Sequence, residues 1–329
     1  MRENAHSSAV SVCVPVHNGV EFLPRLFSCL ADQRCRDFEV IVADDGSTDG
    51  SADEAERLLA YYGLNGRVIR TASQGSARAR DTACSSGRAA IIATLDCDDW
   101  WEPNYLSDML AALRVHPGTD LVYCDLLEIF PDGRTLLKST IATWVELSQA
   151  SRDGDVYGFS RGAFFRMLLQ GHVLFPSCTM YTADLYRRTG GYAAVLPELP
   201  TSLDWSFGLR AARIGSVAFL NRPLLHKYAR ADSVSNASFL KTASSSIRVL
   251  DEVLRDTTLQ PEERRIARRY GALVSGWCAY ESWATHKKQI QALKWAFTSW
   301  RFCPNGNAVK VAAKSLIPRE LVDWARSTG

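Results

Sequence analysis

The first 127 residues alternate short apolar runs with stretches of helical periodicity, and this alternation constrains the fold more than any other feature. "AVSVCVPV", "FEVIVA", "GRVIRT" and "AAIIATL" read as strands, and "DLVYCDLLEIF" follows as a further one before the turn "PDG". Between them, "EFLPRLFSCLADQ", "STDGSADEAERLLAYYG" ending at Gly63, "GSARARDTACSSG" and "PNYLSDMLAALRVH" carry helical spacing with cap residues or proline at their starts. Repeated βα units predict an α/β fold with a mostly parallel sheet flanked by helices.

Such sheets bind ligands at the carboxyl ends of their strands. Three polar clusters fall there: "VHN" after the first strand, "DDGS" after the second and "DCDD" after the run at 91–95. They are expected to line one crevice. Asp96 and Asp98, two positions apart, would face the same way on an extended chain. A pair of hard oxygen ligands suits Mg²⁺ or Mn²⁺ shared with phosphate oxygens. Asp99 points away in this reading, capping the next helix or holding a neighbour. No GxGxxG occurs, so a nucleotide would be held differently from a Rossmann dinucleotide.

Composition narrows the class. Apolar residues make up 47% of the chain, enough for a sizeable core. Residues 1–239 carry 23 Lys/Arg against 28 Asp/Glu, whereas residues 240–329 carry 15 against 8. An acidic body with a basic tail suggests two regions with different tasks, and no nucleic-acid partner is expected. The nine cysteines form no CxxC pair and read as reduced core thiols, which points to a cytoplasmic protein. No apolar run approaches the roughly 18–20 residues that a membrane span needs, and the start shows no basic-then-apolar signal pattern.

Residues 139–175 are less periodic, and "SRDGDVYGFSRG" reads as a loop. "PSCTMYTADLYRRTGGY" reads as a strand, a short helix and a Gly-Gly turn; "SLDWSFGLRAARIG" as a helix ending in Gly215; and "SVAFLNRPLLHKYA" as extended. From about 240 the pattern is helical, with Tyr270, Leu273, Val274, Trp277, Tyr280 and Ala284 on one stripe and Leu293, Phe297 and Trp300 on another.

The set "VPVHNG", "DDGSTDGS", "QGSARARDTA" and "LDCDDWWEP", continued by "GGY" and "LDWSFGLRAARIG", resembles the family 2 glycosyltransferases of GT-A fold over roughly residues 9–235. The resemblance implies an inverting transferase that uses a nucleotide-diphosphate sugar and a divalent metal, Mn²⁺ or Mg²⁺. By position, Pro15, Val16, His17 and Asn18 match the strand end that touches the base; His17 stands where most relatives have tyrosine. Asp44 matches the acid that reads the base edge, and Asp45 a second, often structural acid. A carboxylate that accepts an N–H favours uracil or thymine, or guanine, and a UDP-sugar is the preferred donor. Gly75 would let the backbone approach the ligand. Arg80 matches an arginine near the nucleotide, and Asp81 replaces the usual asparagine. Asp96 would hold ribose or metal, and Asp98 would be the main metal ligand. In the segment "LLHKYARADSVS", Arg230 takes the place of a histidine that supports the diphosphate or metal, while His226 reads better as a strand residue with a local hydrogen bond.

Inversion requires a carboxylate to take the proton of the attacking hydroxyl. Asp204 matches the family's Glu-Asp before tryptophan, with Leu203 in place of the glutamate; its structural alternative is an N-cap. Trp205 packs in the core or walls the acceptor site, and His172 and Arg161 lie in the loop region. The division expected is a GT-A catalytic domain over 1–238, with a nucleotide half (1–127) and an acceptor half (128–238), then a helical region over 239–329. The tail mixes Trp283, Trp295, Phe297 and Trp300 with Lys287, Lys288, Lys294 and Arg301. It suits packing on the catalytic domain, a homo-oligomer contact, or an anionic face of the inner membrane that carries a lipid-linked acceptor. A glycan is the other acceptor expected. Two alternative functions remain: a non-catalytic nucleotide-sugar-binding protein and an aspartate-nucleophile phosphohydrolase.

Overall fold

A computed structural model describes residues 8–138, 150–171, 174–229, 239–286 and 288–316. The chain divides into two compact units, the first over residues 1–168, 173–198 and 203–233, the second over 169–172, 199–202 and 234–329.

The first unit is built on β1 (Val10–Val16), β2 (Phe38–Asp44), β3 (Gly66–Arg70) and β4 (Ile91–Thr94), with α1 (Leu23–Ala31), α2 (Ser51–Tyr62) and α3 (Ser76–Ser86) between them. Every residue of β1 and β2 is buried, as expected of strands covered on both faces. β5 (Asp99–Trp101), α4 (Tyr105–Val115), β6 (Leu121–Ile129) and β7 (Thr135–Lys138) follow. Then come β8 (Ser151–Asp153), β9 (Val156–Phe159), α5 (Ala163–Leu168), β10 (Thr179–Thr182), α6 (Ala183–Thr189), α7 (Leu203–Ile214) and β11 (Val217–Tyr228). The sheet order is β3-β2-β1-β4-β10-β6-β11-β9-β8. It is parallel across β3-β2-β1-β4 and between β6 and β11, with β10 inserted antiparallel. Val16 pairs with Asp44 in register, so β1 and β2 end together at one edge.

Two local expectations change. "SRDGDVYGFSRG" is an antiparallel hairpin, β8 and β9 turning at Gly154, rather than a loop. Residues 96–99 are not extended: the Asp99 N–H donates to the Asp96 carbonyl at 3.1 Å, closing a turn. Asp99 then enters β5, which pairs antiparallel with Leu225–Lys227 of β11. Asp99 is therefore a buried strand residue and does not cap α4.

In the second unit, α8 (Phe239–Arg255), α9 (Pro261–Ala284), α10 (Gln289–Phe302) and α11 (Gly306–Ser315) pack consecutively. Gln260 and Glu263 form a capping box at the start of α9, with Pro261 in its first turn. The buried face of α9 is made of small residues, among them Ala267, Gly271, Ala272, Ser275 and Ala279. On α10 the buried residues are Ala292, Ala296, Ser299 and Phe302. The Ser299 hydroxyl donates to the Ala272 carbonyl at 2.8 Å, a contact that only close-set backbones allow. The large apolar stripe of α9 thus faces outward: Leu273, Trp277 and Tyr280 are 56%, 59% and 50% exposed. Among the described residues, no helix is long and apolar enough to cross a membrane. All nine cysteines are free thiols, six of them buried.

Candidate active site

The carboxyl ends of β1, β2 and β4 are tied to one another by short hydrogen bonds. The Asp45 N–H donates to the Val16 carbonyl at 2.8 Å, and Leu95 N–H to the Cys13 carbonyl at 3.0 Å. A Cβ placed on Gly19 would lie 3.0 Å from Cys97 Sγ, so the loop after β1 touches the acidic turn. Pro15 and Val16 are buried strand residues, with Val16 in the core. Asn18 takes a left-handed backbone (φ 47°), and its side-chain oxygen accepts from the Thr48 N–H at 2.8 Å. His17 is exposed, its Nδ1 2.9 Å from the Asp45 carbonyl. A carbonyl only accepts, so Nδ1 carries the proton and Nε2 accepts from Asn18 Nδ2 at 3.3 Å.

The two acids after β2 have different surroundings. Asp45 accepts from the Gln74 and Gly75 N–H groups, both at 2.8 Å, one on each carboxylate oxygen. It braces the loop that opens α3, where Gly75 has a φ of 92° that side-chain-bearing residues rarely adopt. Asp44 is buried; its Oδ2 accepts from Ser47 N–H at 3.2 Å, while among the described residues its buried Oδ1 has no partner. Buried acceptors are seldom left unpaired, and this one is suited to an incoming N–H.

Arg80 projects from α3 and is buried. One guanidinium nitrogen lies 2.6 Å from Asp96 Oδ1, and the group sits 5.1 Å from the Tyr192 ring centre. Burial disfavours its charge; Asp96, Tyr192 and Asp204 together outweigh this, and its pKa stands above the ordinary arginine value. Asp204 lines one small cavity with Tyr192. It occupies the first turn of α7, half-exposed, and its Oδ1 accepts the Trp205 N–H at 2.9 Å. Trp205 is a core residue whose indole donates to the Leu168 carbonyl at 2.8 Å. Arg230 and His172 lie outside the described residues.

The acidic turn is clasped from elsewhere in the chain. Ser177 Oγ accepts from the Asp96 N–H at 3.0 Å and donates to Asp99 Oδ2 at 2.6 Å. Lys227 Nζ is 3.7 Å from Asp99 Oδ1. Burial pushes the Asp99 acid up to about 7; Lys227 opposes this, Asp98 and Asp96 push the same way, and the Ser177 hydroxyl opposes. Three carboxylates therefore crowd one turn. Among the described residues no group of three or more His, Cys, Asp or Glu side chains is arranged to hold a metal by itself. Two half-buried carboxylates, Asp96 and Asp98, fit a divalent cation that takes its remaining oxygens from a ligand. His226 lies on β11, with Nε2 2.5 Å from Glu102 and its ring stacked on Trp100.

Sequence reasoning named one residue that shapes the site without assigning its contacts, and missed another. Asp81 accepts from the Tyr192 and Ala193 N–H groups and the Tyr186 hydroxyl, all at 2.7 Å, and so fixes the Gly190–Gly191 turn. A Cβ on Gly191 would lie 2.6 Å from Asp81 Oδ1. Ser177 is the residue missed; it sits in no motif that announces its partners. Asp81→Ala leaves three donors short of an acceptor, and we expect a loss of about 3 kcal/mol or more in urea unfolding. Asp81→Asn, which keeps one acceptor oxygen, should fall between.

The model of the glycosyl transferase family 2 matches residues 11–190, more than half of the 329-residue chain. EpsH of Bacillus subtilis, named a glycosyltransferase, is 28% identical over 84% of this chain and 78% of its own length. The chondroitin synthase of Pasteurella multocida is 24% identical over 69% of this chain, a match that spans 21% of that longer protein. Among solved structures, Staphylococcus aureus TarS (residues 1–349, with UDP-GlcNAc) superposes with a TM-score of 0.68 at 18% identity, over 93% of this chain and 88% of that one. The mannosyltransferase PcManGT of Pyrobaculum calidifontis, with GDP-Man and Mn²⁺, superposes at 0.58 and 18% identity, over 94% and 79%. The sheet and its flanking helices are those of the GT-A fold, and the chain belongs to glycosyl transferase family 2, an enzyme family of glycosyl transfer.

Proposed function

We propose that the protein moves a sugar from a nucleoside-diphosphate donor, UDP-linked by preference, to a hydroxyl of a glycan or lipid-linked acceptor, with inversion. The observation that carries this reading is the buried Arg80, which grips Asp96 and lies 5.1 Å from the ring centre of Tyr192, a residue that lines one small cavity with Asp204. It couples the donor-side turn to the helix start that bears the base. In this scheme residues 1–127 bind the nucleotide and 128–238 the acceptor, with 239–329 as a helical extension.

The base of the nucleotide sits at the ends of β1 and β2, beside His17 and Asn18. Asp44 offers one unpartnered oxygen, Oδ1, because Oδ2 already serves Ser47. One acceptor matches the single N3–H of uracil or thymine, whereas guanine presents two adjacent N–H groups to a carboxylate. The GDP-Man bound by PcManGT makes guanine the competitor to test, and the UDP-GlcNAc bound by TarS favours uracil. Gly75 leaves the start of α3 open to close backbone approach. Asp98, with Asp96, would hold Mn²⁺ or Mg²⁺, which when bound neutralises charge on the leaving diphosphate. Asp204 takes the acceptor proton as the new glycosidic bond forms and the bond to the leaving phosphate oxygen breaks on the opposite face. Phosphohydrolase chemistry through Asp96 is disfavoured because the chain belongs to glycosyl transferase family 2.

A thermal-shift panel of UDP, dTDP, GDP and CMP, with and without Mn²⁺, tests the donor reading. Stabilisation follows free ligand over its dissociation constant, about 2.7 kcal/mol at a hundredfold excess. UDP with Mn²⁺ should shift the melting temperature most. A larger shift with GDP, or equal shifts without the metal, would contradict the assignment.

A further inference from the structure

We infer that α10 and α11 form a docking surface for an anionic lipid bilayer. From Ser282 to Arg319 the chain has seven Lys/Arg and no Asp or Glu. Within the described part of that stretch, each helix turns apolar side chains outward at helical spacing. On α10, Ile290 and Phe297 are 75% and 66% exposed, with Trp300 half-exposed beside them; on α11, Val309 and Leu316 are 58% and 73% exposed. Lys294 lies between Ile290 and Phe297 on the outward face, and Lys310 follows Val309; both are exposed, as is Lys288 before α10. Among the described residues, Arg301 is paired with Asp251 and Lys314 sits over the Trp283 ring, which leaves Lys288, Lys294 and Lys310 as the cations nearest the apolar groups.

The inward faces of these helices are already satisfied. Ala292, Ala296 and Ser299 of α10 and Ala308 and Ser315 of α11 are buried. The outward side chains are therefore surplus to the packing of the unit. Large apolar groups interleaved with lysine suit a headgroup boundary, where the rings and chains enter the acyl region and the ammonium groups stay among phosphates. A second copy of the chain fits less well. A two-fold contact through the same face would bring like charges together, and lysine is depleted in the cores of protein interfaces.

Vesicle flotation of the full chain without nucleotide tests the surface independently of the donor site. We expect binding to vesicles of mixed phosphatidylglycerol and phosphatidylcholine and little to pure phosphatidylcholine, with binding falling steeply as salt rises. Each surface cation contributes roughly a fivefold gain near such a membrane. Lys294→Glu with Lys310→Glu should therefore lower partitioning more than tenfold, and Ile290→Ser with Phe297→Ser should do likewise. Both variants should keep the wild-type melting temperature and nucleotide response, since the altered groups are exposed. Equal binding to neutral vesicles, or none to either kind, would overturn the inference. So would a solution dimer that Ile290→Ser with Phe297→Ser dissociates, because the face would then belong to a second copy.

Discussion

Asp204→Asn should lower the turnover of sugar transfer by about 10²–10⁴-fold, the contribution expected of a positioned general base. The affinity for UDP should remain within about twofold. The substitution is chosen for its shape: asparagine retains the oxygen that accepts the Trp205 N–H, so the start of α7 stays capped. Any loss is then a loss of proton acceptance rather than of fold. Asp204→Ala should cost the same activity and, in addition, roughly 1 kcal/mol of stability from the missing cap. Single-turnover measurement with saturating donor separates the two effects. Transfer at the wild-type rate by Asp204→Asn would remove the residue from the mechanism and direct the search for a base elsewhere in the acceptor half.

Asp98→Ala should abolish the extra stabilisation that Mn²⁺ gives to the UDP complex and reduce turnover by roughly 10²–10³-fold, the usual range for removing one element of transition-state charge stabilisation. Asp96→Ala is the less discriminating variant. It would leave the buried Arg80 without its closest carboxylate, and breaking one side of a buried pair costs about 3–5 kcal/mol. Asp98 is half-buried, and Asp98→Ala leaves the Arg80–Asp96 pair in place, so it separates metal dependence from the loss of that pair. Isothermal titration of UDP with and without Mn²⁺ checks the point. A metal increment unchanged by Asp98→Ala would show that the cation, if required, is held by other groups.

The parts of the fold that were legible are those whose information is local. β1, β2 and β4 are buried runs bounded by polar turns, and Gly63 ends α2 in the left-handed conformation that a C-terminal glycine signals. The acidic turn was legible as chemistry but not as geometry. Its shape is set by the pairing of β5 with β11, more than a hundred residues further along the chain, and no local pattern reports a three-residue strand. The hairpin β8–β9 hid for a similar reason: Val156, Tyr157 and Phe159 are buried in the first unit, but Gly154 and the surrounding charges carry a loop composition. On α9, periodicity identified the apolar stripe but did not say which face packs inward. Gly271 and Ser275 pack inward because small residues let two helices approach, and a Cβ on Gly271 would meet Phe302 at 2.5 Å. The resemblance assigned Asp44 and Asp45 different roles but no geometry; the loop folded over Asp45 is what makes that residue a brace.

Ser177 holds both ends of the acidic turn through one oxygen atom. On the proposed reading, donor recognition is therefore not portable as a contiguous cassette. Grafting residues 9–115 onto a related scaffold would transplant the carboxylates and leave behind the hydroxyl that aligns them. A functional chimera needs the short segment around Pro176–Cys178 as well, and lineages that exchange donor specificity by recombination are expected to keep their crossover points outside the span that joins the two.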